Sequence, residues 1–174
     1  MKRSKKLRLV LMGSSSVLLA SCNKPTTDAL VYSSVEQCAN DGVVSEQVCQ
    51  HQYNQAWQQH LKSAPRYQFK DDCEQDFDTT CQQLSSGEYI PTMEGFMLST
   101  GKSSNSSHSF NVIPLYLGNG GYYRTGSYDR IGSQYKKGKV TVDKSATVKP
   151  SIRTTTLKRG GFGSRASARG SWGG

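Results

Sequence analysis

This 174-residue chain has no long apolar run and almost no acidic residues at its C-terminal end. Its most apolar stretch, residues 9–20, has twelve residues and is interrupted by Gly13 and three serines. A membrane-spanning helix needs roughly 20 apolar residues, so this stretch is too short to be one. Residues 132–174 contain ten Lys or Arg but a single acidic residue, Asp143. The sequence therefore argues against a membrane-spanning helix and predicts a strongly cationic C-terminal end.

Sequence motifs of catalysis and metal binding are also missing. The chain has no G-x-S-x-G, H-E-x-x-H or C-x-x-C pattern, and no dinucleotide-binding glycine pattern. His51, His60 and His108 have no nucleophile at a recognisable spacing, and the cysteine spacings C-x10-C and C-x7-C match no common zinc site. The acidic run at residues 71–78 lacks the glycine and glutamate of a calcium-binding loop. We expect a protein that is not an enzyme, without catalytic residues, metal or cofactor.

The N-terminal residues have the pattern of an export signal. Five Lys or Arg among the first eight residues precede the apolar stretch. The stretch ends in Leu19-Ala20-Ser21-Cys22, which resembles the lipobox of bacterial lipoproteins, where the cysteine receives lipid and the chain is cut before it. The resemblance implies a signal peptide over residues 1–21, N-palmitoyl and S-diacylglycerol modification of Cys22, and a tether over residues 22–27. An ordinary signal peptide or a buried cytosolic helix would not explain a cysteine at this junction.

The residue after Cys22 and the number of cysteines agree with a lipid-anchored protein. Asn23 follows Cys22, and in enterobacteria-like lipoproteins the absence of an aspartate there favours the outer membrane. We expect a lipid-anchored protein of the bacterial cell envelope, in the outer membrane and facing the periplasm. Once Cys22 carries lipid, the other four cysteines form an even set in a compartment where disulfides persist.

Residues 28–84 are the only region that combines helical periodicity with cysteines. Ser45 is placed as the N-cap of a helix that runs to about Ser63, before Ala64-Pro65. Ser34 and Gln37 match a capping box, and residues 71–77 are a third helical candidate. The sequence predicts a small, mainly α-helical, disulfide-stapled head domain here.

The four cysteines repeat one pattern. Tyr32-x5-Cys38 precedes Cys49, and Tyr67-x5-Cys73 precedes Cys81. This repeat favours the pairs Cys38–Cys49 and Cys73–Cys81, while a stapled helical hairpin would instead pair Cys38 with Cys81 and Cys49 with Cys73. Each short loop is worth roughly 2.5–3 kcal/mol in the chain-entropy account.

The centre of the chain is predicted to be less regular. Residues 85–109 are typical of a Ser/Gly-rich linker, and residues 110–131 form an aromatic and glycine-rich segment. Pro114 argues against a central strand, whereas Asn119-Gly120 favours a β-hairpin turn. The segment either packs on the head as an edge hairpin or exposes its aromatic side chains. Exposed aromatics would be docking residues for a partner: Phe110, Tyr116, Tyr122 and Tyr123.

Residues 132–174 are predicted to be a long, disordered, basic tail rich in Gly, Ser and Arg. Its end, LKRGGFGSRASARGSWGG, is typical of RNA-binding segments, but an exported chain meets no RNA, so nucleic-acid binding is a remote alternative. Residues 23–131 carry seven basic and twelve acidic residues, so charge is split along the chain. We expect the tail to contact anionic envelope polymers or an envelope protein, with Phe162 and Trp172 as further docking points.

Four features in the same order resemble the YgiB-like family of enterobacterial lipoproteins, a family of unknown function. They are the basic leader ending at Cys22, the segment from Ala64-Pro65-Arg66-Tyr67 through Cys73-Glu74 and Phe77 to Cys81, the Ile113-Pro114-Leu115 region, and Arg159-Gly160-Gly161-Phe162-Gly163. Asp78, in place of a glycine, and the Ser/Asn-rich middle depart from the family pattern. The resemblance implies an envelope lipoprotein and brings no activity.

The function that we expect is therefore a lipid-anchored envelope protein with a structural or interaction role. The alternative is an accessory subunit or ligand-binding module. Some YgiB-like relatives are encoded beside a glutathionylspermidine-synthetase-like ligase, so the resemblance also implies an accessory role for an envelope or polyamine/peptide-amide enzyme.

Overall fold

The computed structural model describes residues 24–100, 110–133 and 135–150. The leader, Cys22, Phe162 and Trp172 lie outside the described residues. Eight strands and three helices form the described part: β1 (Thr26–Tyr32), α1 (Val35–Asn40), α2 (Glu46–Ser63), α3 (Lys70–Asp76), β2 (Cys81–Gln83), β3 (Tyr89–Pro91), β4 (Gly95–Thr100), β5 (Phe110–Gly118), β6 (Tyr122–Arg124), β7 (Arg130–Ser133) and β8 (Gly138–Asp143). A 3₁₀ turn, Lys144–Thr147, follows β8.

Six of the strands form one sheet in the order β7-β6-β5-β4-β1-β8, and all neighbouring pairs are antiparallel. The two edge strands, β7 and β8, are also in contact. The sheet therefore curls into a nearly closed barrel, which leaves little open strand edge.

The inside of the barrel is filled by alternate residues of its strands. In β1, Ala29 and Val31 face inward, while Leu30 and Tyr32 belong to the cluster on the other face, as the two-residue period of a strand requires. The interior cluster consists of Ala29, Val31, Met97, Ile113, Leu115, Tyr123, Ile131, Val142 and Ala146. Ala146 comes from the 3₁₀ turn, so the core extends past the end of β8.

Helices α1 and α2 cover the outer face of the sheet. The backbone N–H of Gln37 donates to Ser34 Oγ at 3.1 Å, and the Gln37 side chain accepts from the Ser33 N–H at 2.9 Å. This exchange caps α1 at its N-terminus. Helix α2 ends at Ser63, where Ala64 takes an extended conformation before Pro65.

The second helical corner consists of α3 and the β2–β3 hairpin. It surrounds the fully buried ring of Phe77, which has edge contacts with Tyr67 and Tyr116. Because Tyr116 belongs to β5, this corner is packed directly against the barrel.

Disulfides close both corners: Cys38 is bonded to Cys49, and Cys73 to Cys81. These are the pairs that the repeated cysteine pattern favours. The structure also extends the repeat, because the Tyr32 hydroxyl donates to Asp41 at 2.7 Å and the Tyr67 hydroxyl donates to Asp76 at 2.8 Å. Each corner thus has the form Tyr-x5-Cys-x2-Asp, with a helix between a tyrosine and the carboxylate that accepts its hydrogen bond.

The expectation of a mainly α-helical head with a disordered tail from residue 132 is wrong. The three helices lie where the sequence predicts them, but they pack on a β-sheet that dominates the domain. Residues 85–109, expected as a linker, supply β3 and β4. Residues 138–143, expected in the tail, form β8, in which Val140 and Val142 pack into the barrel at every second position. This two-residue period and the pairing with β1 along six residues make the segment a strand of the barrel.

The inference from Pro114 is also wrong, because β5 lies inside the sheet. Pro114 pairs with Phe96 of β4, whereas β6 pairs with β5 only from Tyr116 onward. The proline therefore stands where β5 has one paired neighbour, and its missing N–H costs no ladder hydrogen bond there. The predicted turn is present between β5 and β6, with positive φ at Gly120 and Gly121.

No helix among the described residues has both the length and the apolar character needed to cross a bilayer.

Breaking either disulfide should lower the free energy of unfolding by about 2.5–3 kcal/mol, since each closes a short loop in the unfolded chain. The double variants Cys38→Ala/Cys49→Ala and Cys73→Ala/Cys81→Ala test this by urea denaturation. The two bonds lie in separate corners, so the losses should add in the quadruple variant. A quadruple variant as stable as the parent would show that packing alone holds the corners.

Candidate functional site

An open apolar groove of about 630 Å³ lies on the outer face of the sheet, beside the start of α2. It is lined by β1, β4, β5, β8, the α1–α2 connection and the first turn of α2: Asp28, Ala29, Leu30, Val43, Val44, Ser45, Val48, Leu98, Phe110 and Lys139. The strand register sets its floor, because Leu30 pairs with Leu98 on one side and with Lys139 on the other. Paired residues point to the same face, so these three side chains form a row across β8, β1 and β4.

The wall of the apolar groove is the connection between α1 and α2. Val44 precedes the N-cap residue Ser45 and packs against the cluster under the helices. Val43 does not pack inward, and 63% of its surface is exposed. The Cys38–Cys49 bond fixes the first turn of α2, so this wall has a defined position over the sheet.

One rim of the apolar groove is polar. Lys139 Nζ lies 2.8 Å from Asp28 Oδ2, and the Thr141 hydroxyl donates to Asp28 Oδ1 at 3.2 Å. The hydrogen bond from Lys139 lowers the pKa of Asp28, and the same contact raises the pKa of Lys139. Both side chains are exposed, so this pair marks an edge of the groove and adds little stability.

A second, polar depression of about 300 Å³ lies at α1 and includes Ser34, Gln37, Asp41 and Lys137. Most of its polar groups already serve the fold. Ser34 and Gln37 cap α1, and Asp41 accepts from the buried Tyr32, whose pKa is raised by burial. We therefore regard the apolar groove as the candidate site.

The buried polar groups of α2 belong to the core. His60 is 1% exposed, and its Nδ1 lies 3.1 Å from the Tyr116 hydroxyl. Burial lowers the pKa of His60 to about 4 and raises the pKa of Tyr116. Both groups are then neutral at pH 7, and the His60 tautomer sets which of the two donates in this hydrogen bond. This bond joins α2 to the middle of β5.

A hydrogen-bonded group of two tyrosines and a carboxylate joins α3 to the loop before β7. The Tyr67 and Tyr128 hydroxyls contact each other, and both point to Asp76 Oδ2. Tyr128 has a φ of 68°, the left-handed conformation that non-glycine residues rarely adopt. Burial raises the pKa of Tyr67, so it stays a hydrogen-bond donor.

Exposed lysines follow one another near the end of the described chain. They are Lys136, Lys137, Lys139, Lys144 and Lys149, which we call the lysine strip. Lys139 is paired with Asp28, as described above. The described residues contain no group of three or more His, Cys, Asp or Glu placed to hold a metal ion.

The family described as "Protein of unknown function (DUF1190)" matches residues 26–173. The chain belongs to the DUF1190 family. The match includes the barrel and almost all of the basic C-terminal segment. The expected resemblance to a family of unknown function with enterobacterial members is confirmed to this extent.

Curated relatives carry the name UPF0441 protein. One from Sodalis glossinidius is 27% identical over 163 residues, covering 84% of this chain and 75% of the relative. One from Yersinia pestis is 27% identical over 186 residues, covering 92% of this chain and 82% of the relative. One from Pectobacterium carotovorum is 26% identical over 184 residues, covering 92% of this chain and 81% of the relative. No solved structure matches the chain.

The aromatic residues proposed for partner docking are mostly not on the surface of this DUF1190 domain. Tyr116 and Tyr123 are buried, so a partner cannot contact them without unfolding the barrel. Phe110 and Tyr122 are half-buried, and Arg130 covers the Tyr122 ring. Of these four, Phe110 alone lines the apolar groove. Phe162 and Trp172 lie outside the described residues.

Sequence reasoning missed the residues that form the groove wall. The signal was present, since Val43 and Val44 are consecutive apolar residues directly before the helix N-cap at Ser45. An apolar residue before an N-cap packs against the first turns of its helix, which accounts for Val44. Val43 is 63% exposed and lines the groove beside its apolar floor.

The buried His60 predicts a pH dependence of stability. Its pKa is about 4 in the folded protein against 6.5 in the unfolded chain, so between these values the unfolded state binds more protons. Stability should be fully present above pH 6.5 and fall by about 3 kcal/mol as the pH drops to 4. His60→Gln should flatten this slope in urea denaturation between pH 4 and 7. The exposed His51→Gln is the matched control, and equal slopes in both variants would refute the assignment.

Proposed function

We propose that this DUF1190 protein is exported, lipidated at Cys22 and held in the bacterial cell envelope, where its barrel is an interaction module. The observation that carries the proposal is the pair of disulfides, one in each helical corner. Structural disulfides persist in oxidising compartments and are rare in the cytosol. They agree with the export signal and with the lipobox-like Leu19-Ala20-Ser21-Cys22.

The interior of the domain supports an interaction role more than a catalytic one. The most strongly buried titratable pair, His60 and Tyr116, is neutral and joins α2 to β5. The Tyr67, Tyr128 and Asp76 group holds a loop on α3. These groups already have hydrogen-bond partners within the fold, and none of them lines the apolar groove.

Charge supports anionic envelope polymers as one class of partner. The lysine strip leads directly into residues 151–174, which carry five Lys or Arg and no acidic side chain. Phosphates of lipopolysaccharide or carboxylates of peptidoglycan would attract this segment, and each lysine or arginine near an anionic surface contributes about 1 kcal/mol. Lipidation at Cys22 would keep the segment close to such a surface.

A ligand-binding module is the second candidate, favoured by the apolar groove. Its volume of about 630 Å³ lies within the usual range of small-molecule sites, and its lining is mainly aliphatic with one charged pair at the rim.

Lipidation predicts that Cys22→Ala abolishes labelling by an alkyne-tagged palmitate in cells and releases the protein from the membrane fraction. Asn23→Ala is the matched control, since it alters the next residue and keeps the cysteine. In the unreduced protein, the other four cysteines should resist alkylation. An unlabelled parent chain, or a label that survives Cys22→Ala, would overturn the proposal.

Charge-driven binding of the C-terminal segment predicts a salt-dependent loss when its cations are removed. Arg153, Lys158, Arg159, Arg165 and Arg169 are changed to Gln in the lipid-free Cys22→Ala chain, which removes the positive charges and keeps the length of the segment. Cosedimentation with lipopolysaccharide vesicles or peptidoglycan sacculi at low salt should weaken roughly tenfold or more. Lys62→Gln on α2 is the control. Equal binding by the parent and the five-Gln variant would exclude this role.

A further inference from the structure

We propose that the apolar groove is the docking site of the chain's own C-terminal segment, residues 151–174, which binds through Phe162 and Trp172. The proposal does not depend on lipidation or on binding to envelope polymers. It concerns which surface of the barrel this segment occupies when no other partner is present.

The shape and lining of the groove call for an apolar occupant. Its floor contains the half-buried Leu30 and Phe110 beside the buried Leu98, and its wall contains the 63%-exposed Val43. Contiguous exposed apolar surface on a small soluble domain is uncommon unless something binds it. Aromatic side chains suit such a groove, because each buries a large area at a small cost in conformational entropy.

The C-terminal segment follows, in sequence, the strand that borders the groove. Strand β8 pairs with β1 along residues 26–31, and Lys139 of β8 lines the groove. The described chain ends at Pro150, a few residues beyond β8. The remaining 24 residues, as a coil, have an r.m.s. span of about 27 Å. Phe162 and Trp172 lie 12 and 22 residues beyond Pro150, which corresponds to r.m.s. spans of about 19 and 26 Å. A domain of this size has a radius of gyration of about 14 Å, so these spans are long enough for both aromatic residues to reach another face of the barrel.

Composition and charge favour this segment over an external peptide. Phe162 and Trp172 are its aromatic residues, and small and basic residues separate them. The segment carries five positive charges, while residues 23–131 carry five more acidic than basic residues. The DUF1190 match continues to residue 173, so the segment belongs to the same family region as the barrel.

Because the C-terminal segment is covalently attached to the barrel, weak contacts are sufficient for it to occupy the groove. A segment held by a short linker faces its site at an effective concentration in the millimolar range. Two aromatic contacts with only millimolar intrinsic affinity would therefore occupy the groove for a large fraction of the time.

The chain has two tryptophans, Trp57 and Trp172, so ¹⁹F NMR of the 5-fluorotryptophan-labelled protein reports docking directly. The protein used is the oxidised mature chain with Cys22→Ala, and Trp172→Phe assigns the signals. We expect the Trp172 signal to be displaced from the free amino acid position. Val43→Glu should return it to that position, because it places a charge in the apolar wall. Leu61→Glu makes the same change at an exposed leucine of α2 outside the groove and should leave the displacement intact.

A second measurement uses the hydrophobic dye 8-anilinonaphthalene-1-sulfonate as a probe of the empty groove. The variant Phe162→Ser/Trp172→Ser should bind the dye several-fold more strongly than the parent, and adding Val43→Glu should abolish the gain. A Trp172 signal at the free position in the parent chain would overturn the proposal. Equal dye binding by the parent and the double-serine variant would also overturn it and leave the groove to an external apolar ligand. Neither readout changes if lipidation fails, so the two proposals are tested separately.

Discussion

The two disulfide-closed corners are the constraint on which the arrangement of this domain depends. In each corner a tyrosine precedes a short helix, the helix carries a bonded cysteine, and a carboxylate near its end accepts the tyrosine hydroxyl. Isolated helices of six and seven residues are unstable in water, because nucleation costs more than so few hydrogen bonds return. The covalent bond and the tyrosine–carboxylate bond together hold α1 and α3 in place.

The wall of the apolar groove is part of the first disulfide-closed corner. The Cys38–Cys49 bond sets the point at which α2 begins over the sheet, and the connection before it carries Val43 and Val44. Strands β1, β4 and β5 meet this connection and the first turn of α2 at the groove, where Leu30 and Phe110 are half-buried and Leu98 is buried. The surface that we assign to binding therefore lies at the start of α2, where the α1–α2 connection passes over the sheet.

Local signals in the sequence predicted the helices and the cysteine pairs, but not the sheet. Caps and a proline stop are encoded by adjacent residues, as at Ser34 and Pro65, and the Tyr-x5-Cys repeat lies within each corner. The barrel depends on contacts between distant residues, such as β1 with β8, whose paired residues lie more than a hundred positions apart. Strands buried on both faces lose the alternation by which a strand is recognised. The groove could not be predicted from the sequence for the same reason, since its lining residues come from several elements that are distant in the chain.

Two attractions act on the same C-terminal segment, and their physical character differs. Contact between its aromatic residues and the apolar groove is hydrophobic and changes little with moderate salt, whereas attraction of its arginines and lysines to an anionic polymer is screened within about 8–10 Å at physiological ionic strength. Lys139 of the lysine strip lies in β8, the strand that borders the groove, and the other four lysines flank this strand in sequence before the C-terminal segment begins. Because a segment of 24 residues cannot extend far toward a polymer while both aromatics stay docked, the two interactions compete. Thermodynamic linkage makes this competition reciprocal. Polymer binding lowers the affinity of the segment for the groove, and docking lowers the affinity of the segment for the polymer by the same factor.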